Sequence, residues 1–130
     1  MENKKYVAYT DGSADNLNTR RGGAAYIIIQ DNEIVYEASK KFKNTTNNRM
    51  EMLAIISAVN HVPEHSELTV YSDSQYAINV FNGKWKPKIN KDLIDLYHKV
   101  AINKTIILKW IKGHSGNKYG DYVDKLASYL

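Results

Sequence analysis

Four acidic residues of the chain have the type and spacing that could hold divalent cations. They lie in four separate segments, and they are Asp11, Glu51, Asp73 and Asp124. Taken singly, each has an ordinary explanation as a turn cap, a first-turn helix acid, a helix N-cap or a partner of a nearby lysine. Gathered at one place, four carboxylates repel one another unless a positive charge is supplied. The set therefore indicates a cation site if the fold brings the four side chains together.

The donor chemistry of this set narrows the choice of cation. Carboxylate oxygens are hard ligands that favour Mg²⁺, with Mn²⁺ as a possible substitute. The chain has no Cys, which excludes thiolate zinc sites and Cys nucleophiles. Two such ions about 4 Å apart form the usual clamp for in-line displacement at a phosphodiester. The expected chemistry is therefore phosphodiester hydrolysis with two bound Mg²⁺ ions.

The hydrophobic pattern predicts the elements that must position these carboxylates. Apolar and β-branched segments predict strands, and apolar residues at three- and four-residue steps predict helices. In chain order the predicted elements are strands 6–9, 24–29 and 34–42, a helix 47–62, a strand 68–72, helices 74–81 and 90–102, a strand 105–111 and a last helix. This βββαβααβα order implies an α/β fold with a mixed five-stranded sheet flanked by helices. If the first and fourth strands are adjacent, Asp11 and Asp73 follow neighbouring strand ends.

Polar residues predict where these elements begin and end. Residues 10–21 are expected to form a loop after the first strand, with Asp11 at its start, and residues 31–32 a tight turn. Thr46 or Asn47 is expected to cap the helix 47–62, and Asp73 or Ser72 to cap the helix 74–81. The positions expected on the inner faces are Met50, Leu53, Ala54, Ser57, Ala58 and His61 in the helix 47–62, and Tyr122, Val123, Leu126 and Ala127 in the last helix.

Length and composition set the broad class of the protein. The chain has 130 residues, of which 43% are apolar and 25% charged, and this predicts a single domain spanning residues 1–130. The net charge of +4 permits a polyanionic partner without establishing one. No segment approaches the roughly 18 consecutive apolar residues of a membrane span. The N-terminus has no secretion signal, so a cytoplasmic location is expected.

Several short segments of the chain carry the four acids and the residues around them. They are 9–13 (YTDGS), 46–51 (TNNRME), 71–76 (YSDSQY) and 110–116 (WIKGHSG) followed by 124–127 (DKLA). These segments resemble those of the type 1 ribonucleases H. They occur in the family's order and cover almost the whole chain. The resemblance implies a ribonuclease H-like fold and endonucleolytic hydrolysis of the RNA strand of RNA–DNA hybrids, which leaves 5′-phosphate and 3′-hydroxyl ends. It also implies a nuclease that depends on Mg²⁺ and binds the hybrid duplex.

The resemblance assigns catalytic roles to five residues. The family's metal-binding carboxylates match Asp11, Glu51, Asp73 and Asp124. One of two ions would hold the attacking water, and the other would stabilise the departing 3′ oxygen. His114, in a loop with glycine on either side, matches the family's histidine that moves protons or helps the product to leave.

The resemblance also assigns residues to the hybrid. The expected contacts are Gly12, Ser13, Thr46, Asn47, Asn48, Arg49 and Gln75, with helix capping as a second role for Thr46 and Asn47. Contacts to 2′-hydroxyls are what would distinguish RNA from DNA. Lys84, Trp85 and Lys86 form the start of a basic segment that continues to Lys91, shorter than the basic protrusion of many family members. Trp85 has an alternative role as a core anchor for this connection.

Other functions stay open on the sequence alone. A non-catalytic nucleic-acid-binding module and a DNA-cleaving two-metal nuclease could share this fold, and a reverse transcriptase's nuclease domain would share the chemistry. All four acids are present, which disfavours the first, and the expected polar contacts to RNA disfavour the second. The chain departs from the family at Gly120-Asp121, in place of Asn-Glu, and at residues 15–21, in place of a Gly/Pro-rich loop. A monomer is expected.

Overall fold

The first three strands form an antiparallel meander. The structure, a computed structural model, describes residues 4–113 and 116–128. Strands β1 (Lys5–Ala14), β2 (Gly22–Gln30) and β3 (Glu33–Phe42) pair in sequence order. Asp31 and Asn32 join β2 to β3 with φ angles of 54° and 66°. Two consecutive residues in the left-handed backbone conformation form a turn whose twist matches that of the flanking strands. Gly adopts this conformation most readily, and Asn and Asp tolerate it better than other residues do.

The remaining strands extend this meander into a mixed sheet. β4 (Glu67–Ser72) pairs in parallel with β1, and β5 (Thr105–Trp110) pairs in parallel with β4. The strand order is β3-β2-β1-β4-β5. The helices are α1 (Asn47–His61), α2 (Gln75–Phe81), α3 (Lys91–Val100) and α4 (Lys118–Leu126). The predicted α/β fold, its element order and the adjacency of the first and fourth strands are confirmed.

The first strand is longer than the sequence predicted. The loop expected over residues 10–21 begins only at Asp15, because Thr10 to Ala14 pair with Tyr26 to Gly22 of β2. Gly12 and Ser13 have low strand propensity, yet the neighbouring strand overrides that preference. Pairing of β1 with β4, in contrast, ends at Tyr9 opposite Tyr71. Asp11 therefore lies inside a strand but beyond the end of the parallel ladder.

Helix α1 is more deeply buried than a single apolar stripe implies. Besides the predicted Met50, Ala54 and Ala58, it buries Met52, Ile55, Ile56 and Val59. The helix packs on β1 and β2 on one side and on α3 on another, so apolar residues are needed around most of its circumference. His61 is exposed, which corrects its predicted inward position, and the centre of its ring lies 4.3 Å from that of Tyr36.

The cap of α1 agrees with the prediction, whereas the cap of α2 and the position of Tyr122 correct it. Thr46 caps α1 by accepting a hydrogen bond from the Arg49 N–H, as one of the two alternatives expected. The cap of α2 is Ser74, whose hydroxyl accepts from the Ala77 N–H, and neither Ser72 nor Asp73 takes that role. Val123 of α4 and Ala127, the C-cap of that helix, are buried. Tyr122, predicted to face inward, is 39% exposed because its hydroxyl donates to Glu37 on the surface.

None of the helices in the described part of the chain has the length and apolar character that crossing a membrane requires.

Candidate active site

The parallel pairing of β1 with β4 places two carboxylates side by side. The ladder ends at Tyr9 opposite Tyr71, and Asp11 and Asp73 each follow two residues later. Both side chains therefore emerge at the same edge of the sheet, where α/β folds commonly build their sites. Asp11 is only 7% exposed. Because Ser74 caps α2, the Asp73 carboxylate is not used as a cap and is left for the site.

Helix α1 brings a third carboxylate to this edge through a close crossing over Gly12. A Cβ atom at position 12 would lie 2.2 Å from the carbonyl carbon of Met50 and 2.4 Å from the nitrogen of Glu51. Only glycine allows α1 to approach β1 so closely. The Gly12 N–H donates a 2.6 Å hydrogen bond to Oε1 of Glu51. Gly12 was expected to contact the hybrid, and the structure shows that this position also has a packing requirement.

Oxygen atoms of Asp11, Glu51 and Asp73 all lie within 4.8 Å of one another. The fourth predicted acid, Asp124 of α4, reaches the same place, and its carboxyl hydrogen-bonds with that of Asp11. A cavity of about 20 Å³ opens between β1, β4 and α4. Its volume is close to what a single water or a small ion needs. The four carboxylates that the sequence singled out are thus brought together.

The raised pKa values in this cluster indicate that a nearby positive charge would stabilise the ionised carboxylates. Burial, together with the neighbouring Asp124 and Asp73, raises the pKa of Asp11 to about 8. Burial, together with Asp73 and Asp11, raises the pKa of Glu51 to about 11. Such shifts arise where carboxylates are desolvated beside like charges. Oδ1 of Asp73 is buried and has no hydrogen-bond partner in the described structure. An unpartnered oxygen among three other carboxyls fits a divalent cation bound by hard ligands.

Comparison with known proteins agrees with this geometry. The family model described as RNase H matches residues 3–129. The chain belongs to the RNase H family. A ribonuclease H of Clostridium botulinum is 34% identical over 140 residues, covering 96% of this chain and 94% of the relative. A ribonuclease H of Acetivibrio thermocellus is 36% identical over 139 residues, covering 96% and 93%. A ribonuclease HI of Synechocystis is 31% identical over 133 residues, covering 92% and 82%. The predicted type 1 ribonuclease H is confirmed.

Several residues that the RNase H resemblance assigned to the hybrid also serve the fold. The Thr46 hydroxyl caps α1, and Oδ1 of Asn47 accepts a hydrogen bond from the Ala14 N–H. The Ser13 hydroxyl donates to the carbonyl of Ala127 at 3.0 Å. These bonds link β1 to the start of α1 and to the end of α4. Residues beside the carboxylate cluster are therefore fixed in place by the protein itself.

Arg49, which was expected to contact the hybrid, has a partner within the protein. Its guanidinium group pairs with both carboxylate oxygens of Asp92 on α3, at 3.0 and 2.7 Å. It also donates to Oδ1 of Asn90, whose side-chain amide donates to the Tyr76 hydroxyl. The arginine thus ties the first turn of α1 to the start of α3. Contact of Arg49 with substrate stays a prediction.

The other residues that this RNase H would use against the hybrid are open to solvent. Asn48, Gln75, Lys84 and Lys86 are exposed, and Trp85 is 48% exposed. Its exposure shows that Trp85 is not a buried core anchor. One face of the residue still lies against the protein, because its ring centre is 6.4 Å from that of Tyr76. His114 lies outside the described residues, and its role stays a prediction.

Three residues of the site were missed by the sequence analysis. Asp121 lines the cavity one turn before Asp124, and the i, i+3 spacing of two acids on α4 was the available signal. Gly113 lies so close that a Cβ would be 2.7 Å from Oδ2 of Asp73. The Trp110 indole donates to the backbone carbonyl of Asp73. The last two contacts join segments 37 and 40 residues apart, so only the fold reveals them.

Proposed function

We propose that the protein is a Mg²⁺-dependent endonuclease that hydrolyses the RNA strand of RNA–DNA hybrids and leaves 5′-phosphate and 3′-hydroxyl ends. The observation that carries this proposal is the cluster of buried Asp11 with half-buried Glu51 and Asp73, and the orphaned buried oxygen on Asp73. Membership of the RNase H family supplies the reaction class. The likeness in sequence to proteins named ribonuclease H supports the same assignment.

Asp11, Glu51, Asp73 and Asp124 would hold two Mg²⁺ ions, which Mn²⁺ could replace. Bound ions supply an activated water and neutralise charge on the departing oxygen. The protein holds the Glu51 carboxylate in place before any ion binds, through the hydrogen bond that the Gly12 N–H donates to its Oε1. This preorganisation lowers the cost of ordering the ligands when the ions arrive.

Further residues would bind the substrate or move protons. His114 would carry a proton beside the carboxylates. The backbone of Gly12 and Ser13 and the side chains of the residues at the start of α1 and α2 would contact the hybrid across its minor groove, and the proposed side chains are Thr46, Asn47, Asn48, Arg49 and Gln75. The open positions of Asn48 and Gln75 at the two helix starts support this surface.

A cleavage assay on labelled duplexes tests the proposal. We expect cuts in the RNA strand of an RNA–DNA hybrid with Mg²⁺, and none in single-stranded RNA or double-stranded DNA. A chelator should abolish the activity, as should Asp11→Asn or Asp73→Asn. These changes keep side-chain shape while removing a charged ligand. Activity that persists in chelator contradicts the metal assignment. Cleavage of double-stranded DNA would instead support a DNA-cleaving nuclease, and hybrid binding without cleavage a non-catalytic module.

The exposed basic segment 84–91 would grip the phosphate backbone beside the cut. Replacing Lys84, Lys86 and Lys88 together with Ala should weaken hybrid binding and flatten its salt dependence by up to about 3 in slope. The matched control replaces three exposed lysines at the opposite end of the molecule, where β1 begins and α3 ends, and these are Lys4, Lys5 and Lys99. Equal slopes for the two triple variants would show that the segment does not touch the hybrid.

We also propose that residues 1–130 act as one catalytic unit and as a monomer in the cytoplasm. RNA–DNA hybrids form where nucleic acids are copied, and in bacteria such as the relatives above that is the cytoplasm. The monomer is tested by light scattering of the purified protein. Location is tested by fractionating cells that express it.

A further inference from the structure

Trp110 is the last residue of β5, which lies beside β4, the strand that Asp73 follows. It pairs with Ser72, the last residue of β4, and the following Ile111 N–H donates to the Ser72 carbonyl at 2.9 Å. The indole Nε1–H of Trp110 donates a 3.0 Å hydrogen bond to the backbone carbonyl of Asp73. The side chain is 48% exposed, so burial of its ring alone does not account for its orientation.

The surroundings of Asp73 show why this bond matters. The two residues beside it have their own bonds, because the Ser72 hydroxyl accepts from the Ser74 N–H and the Ser74 hydroxyl caps α2. Oδ1 of Asp73 is buried without a partner, and Gly113 packs against Oδ2. The Trp110 indole thus holds the Asp73 peptide through its carbonyl group.

We propose that Trp110 is a positioning residue for Asp73, which fixes the Asp73 peptide so that its carboxylate stays beside those of Asp11 and Glu51, ready for a divalent cation. This inference rests on the proposed metal site. Trp110 touches neither ion nor substrate in this role. It acts through the backbone of a ligand, so its loss should weaken metal binding before it affects hybrid binding.

The chain offers a direct observation, since it has only two tryptophans. Their indole N–H signals are resolved by ¹H–¹⁵N NMR and assigned with Trp85→Phe. Titration with Mg²⁺ alone should move the Trp110 signal with the same midpoint as the Gly12 amide, which reports on Glu51. The Trp85 signal should stay in place because that ring lies beside Tyr76.

An isosteric replacement isolates the hydrogen bond. Replacing Trp110 by 3-benzothienylalanine substitutes sulfur for the indole N–H and keeps the ring shape. Loss of one hydrogen bond should lower Mg²⁺ affinity by about three- to tenfold. The KM for hybrid and the maximal rate at saturating Mg²⁺ should be unchanged. The same replacement at Trp85 is the control for metal affinity. Trp110→Phe serves as a second variant that also lacks the donor.

The outcomes separate this inference from the proposed function. If the Gly12 amide responds to Mg²⁺ but the Trp110 indole does not, or if the isosteric variant binds Mg²⁺ as tightly as the unmodified protein, the inference is wrong while the metal site stands. If neither signal responds to Mg²⁺, the metal site is wrong and the inference falls with it. A raised KM with unchanged Mg²⁺ affinity would place Trp110 in hybrid binding instead.

Discussion

The buried carboxylates should make the metal-free protein less stable as the pH rises. Asp11 and Glu51 have ordinary pKa values of 3.8 and 4.5, and in the folded protein these rise to about 8 and about 11. Above about pH 5 the unfolded chain releases protons that the folded protein keeps. The folded state then binds more protons, so the free energy of unfolding falls with increasing pH. This contribution is complete below about pH 4 and is lost progressively as the pH rises through the folded pKa values.

The size of the effect follows from the proton count. One proton retained by the folded state changes the free energy of unfolding by about 1.4 kcal/mol per pH unit. Asp11 and Glu51 share their hydrogen bonds with Asp124 and Asp73, so we count one retained proton for the cluster. From about pH 5.5 to pH 7.5 the loss is then about 3 kcal/mol. For a chain of 130 residues this corresponds to a fall in Tm of about 10 °C.

Thermal unfolding in EDTA at the two pH values measures this loss. Glu51→Gln keeps the oxygen that accepts from Gly12 but cannot ionise. It should leave Tm nearly unchanged at the lower pH and raise it at the higher one. The four His residues are the same in both proteins, so their contribution cancels in the comparison. Added Mg²⁺ should raise Tm most at the higher pH, because it binds the ionised carboxylates. The same pH slope for both metal-free proteins would refute the reasoning.

Two substitutions, each with a control variant, test how the edge is built. Gly12→Ala should lower the free energy of unfolding by about 3 kcal/mol in urea, because the new methyl group would meet the α1 backbone at Met50. Gly120→Ala, whose methyl group would make contacts of 3.5 Å or longer, should be neutral or stabilising, and an equal loss for both would count against the close crossing. Thr46→Ala should cost about 1 kcal/mol through loss of the α1 cap, whereas Thr46→Ser should cost much less. If Ser and Ala variants are equally unstable, the hydroxyl is not the stabilising group.

The sequence could predict the cluster because it depends on topology. Once the first and fourth strands are adjacent and parallel, two acids that follow them must meet, whatever the details of the loops. Periodicity also located α1 and α4 and hence Glu51 and Asp124. The end of the first strand was predicted wrongly, but this error did not affect the prediction that Asp11 and Asp73 meet. The parallel ladder of β1 with β4 ends at Tyr9, so Asp11 lies beyond it even though β1 itself continues to Ala14.

Contacts that depend on distances between elements could not be predicted in this way. The need for glycine at position 12 arises from how closely α1 crosses β1. Ser74 caps α2 although the adjacent Asp73 could have done so if the helix began one residue earlier. Ser and Asp have nearly equal preference for the N-cap position, so the sequence does not decide between them. The pairing of Arg49 with Asp92 joins residues 43 positions apart. Composition and periodicity carry no information about such pairs.

The loop after β1 shows how different residues can support the same edge. Residues 15–21 lack the Gly and Pro that the resemblance led one to expect, and the turn is made by a side chain instead. The Asp15 carboxylate accepts from the backbone N–H groups of Leu17, Asn18 and Thr19, which also lowers its pKa. Such Asx-type bonds replace the conformational bias of Gly and Pro.

The loop 15–21 is also hydrogen-bonded to α1, the helix that carries Glu51. Oδ1 of Asn16 accepts a hydrogen bond from the Asn47 N–H, and Oδ1 of Asn47 accepts from the Ala14 N–H. The two asparagines therefore bridge the end of β1 and the start of α1 from both sides. With Gly12 bonded to Glu51 a few residues away, the strand and the helix are joined at three points around the carboxylates. The position of Glu51 thus depends on these bonds and not on the Gly/Pro content of the loop.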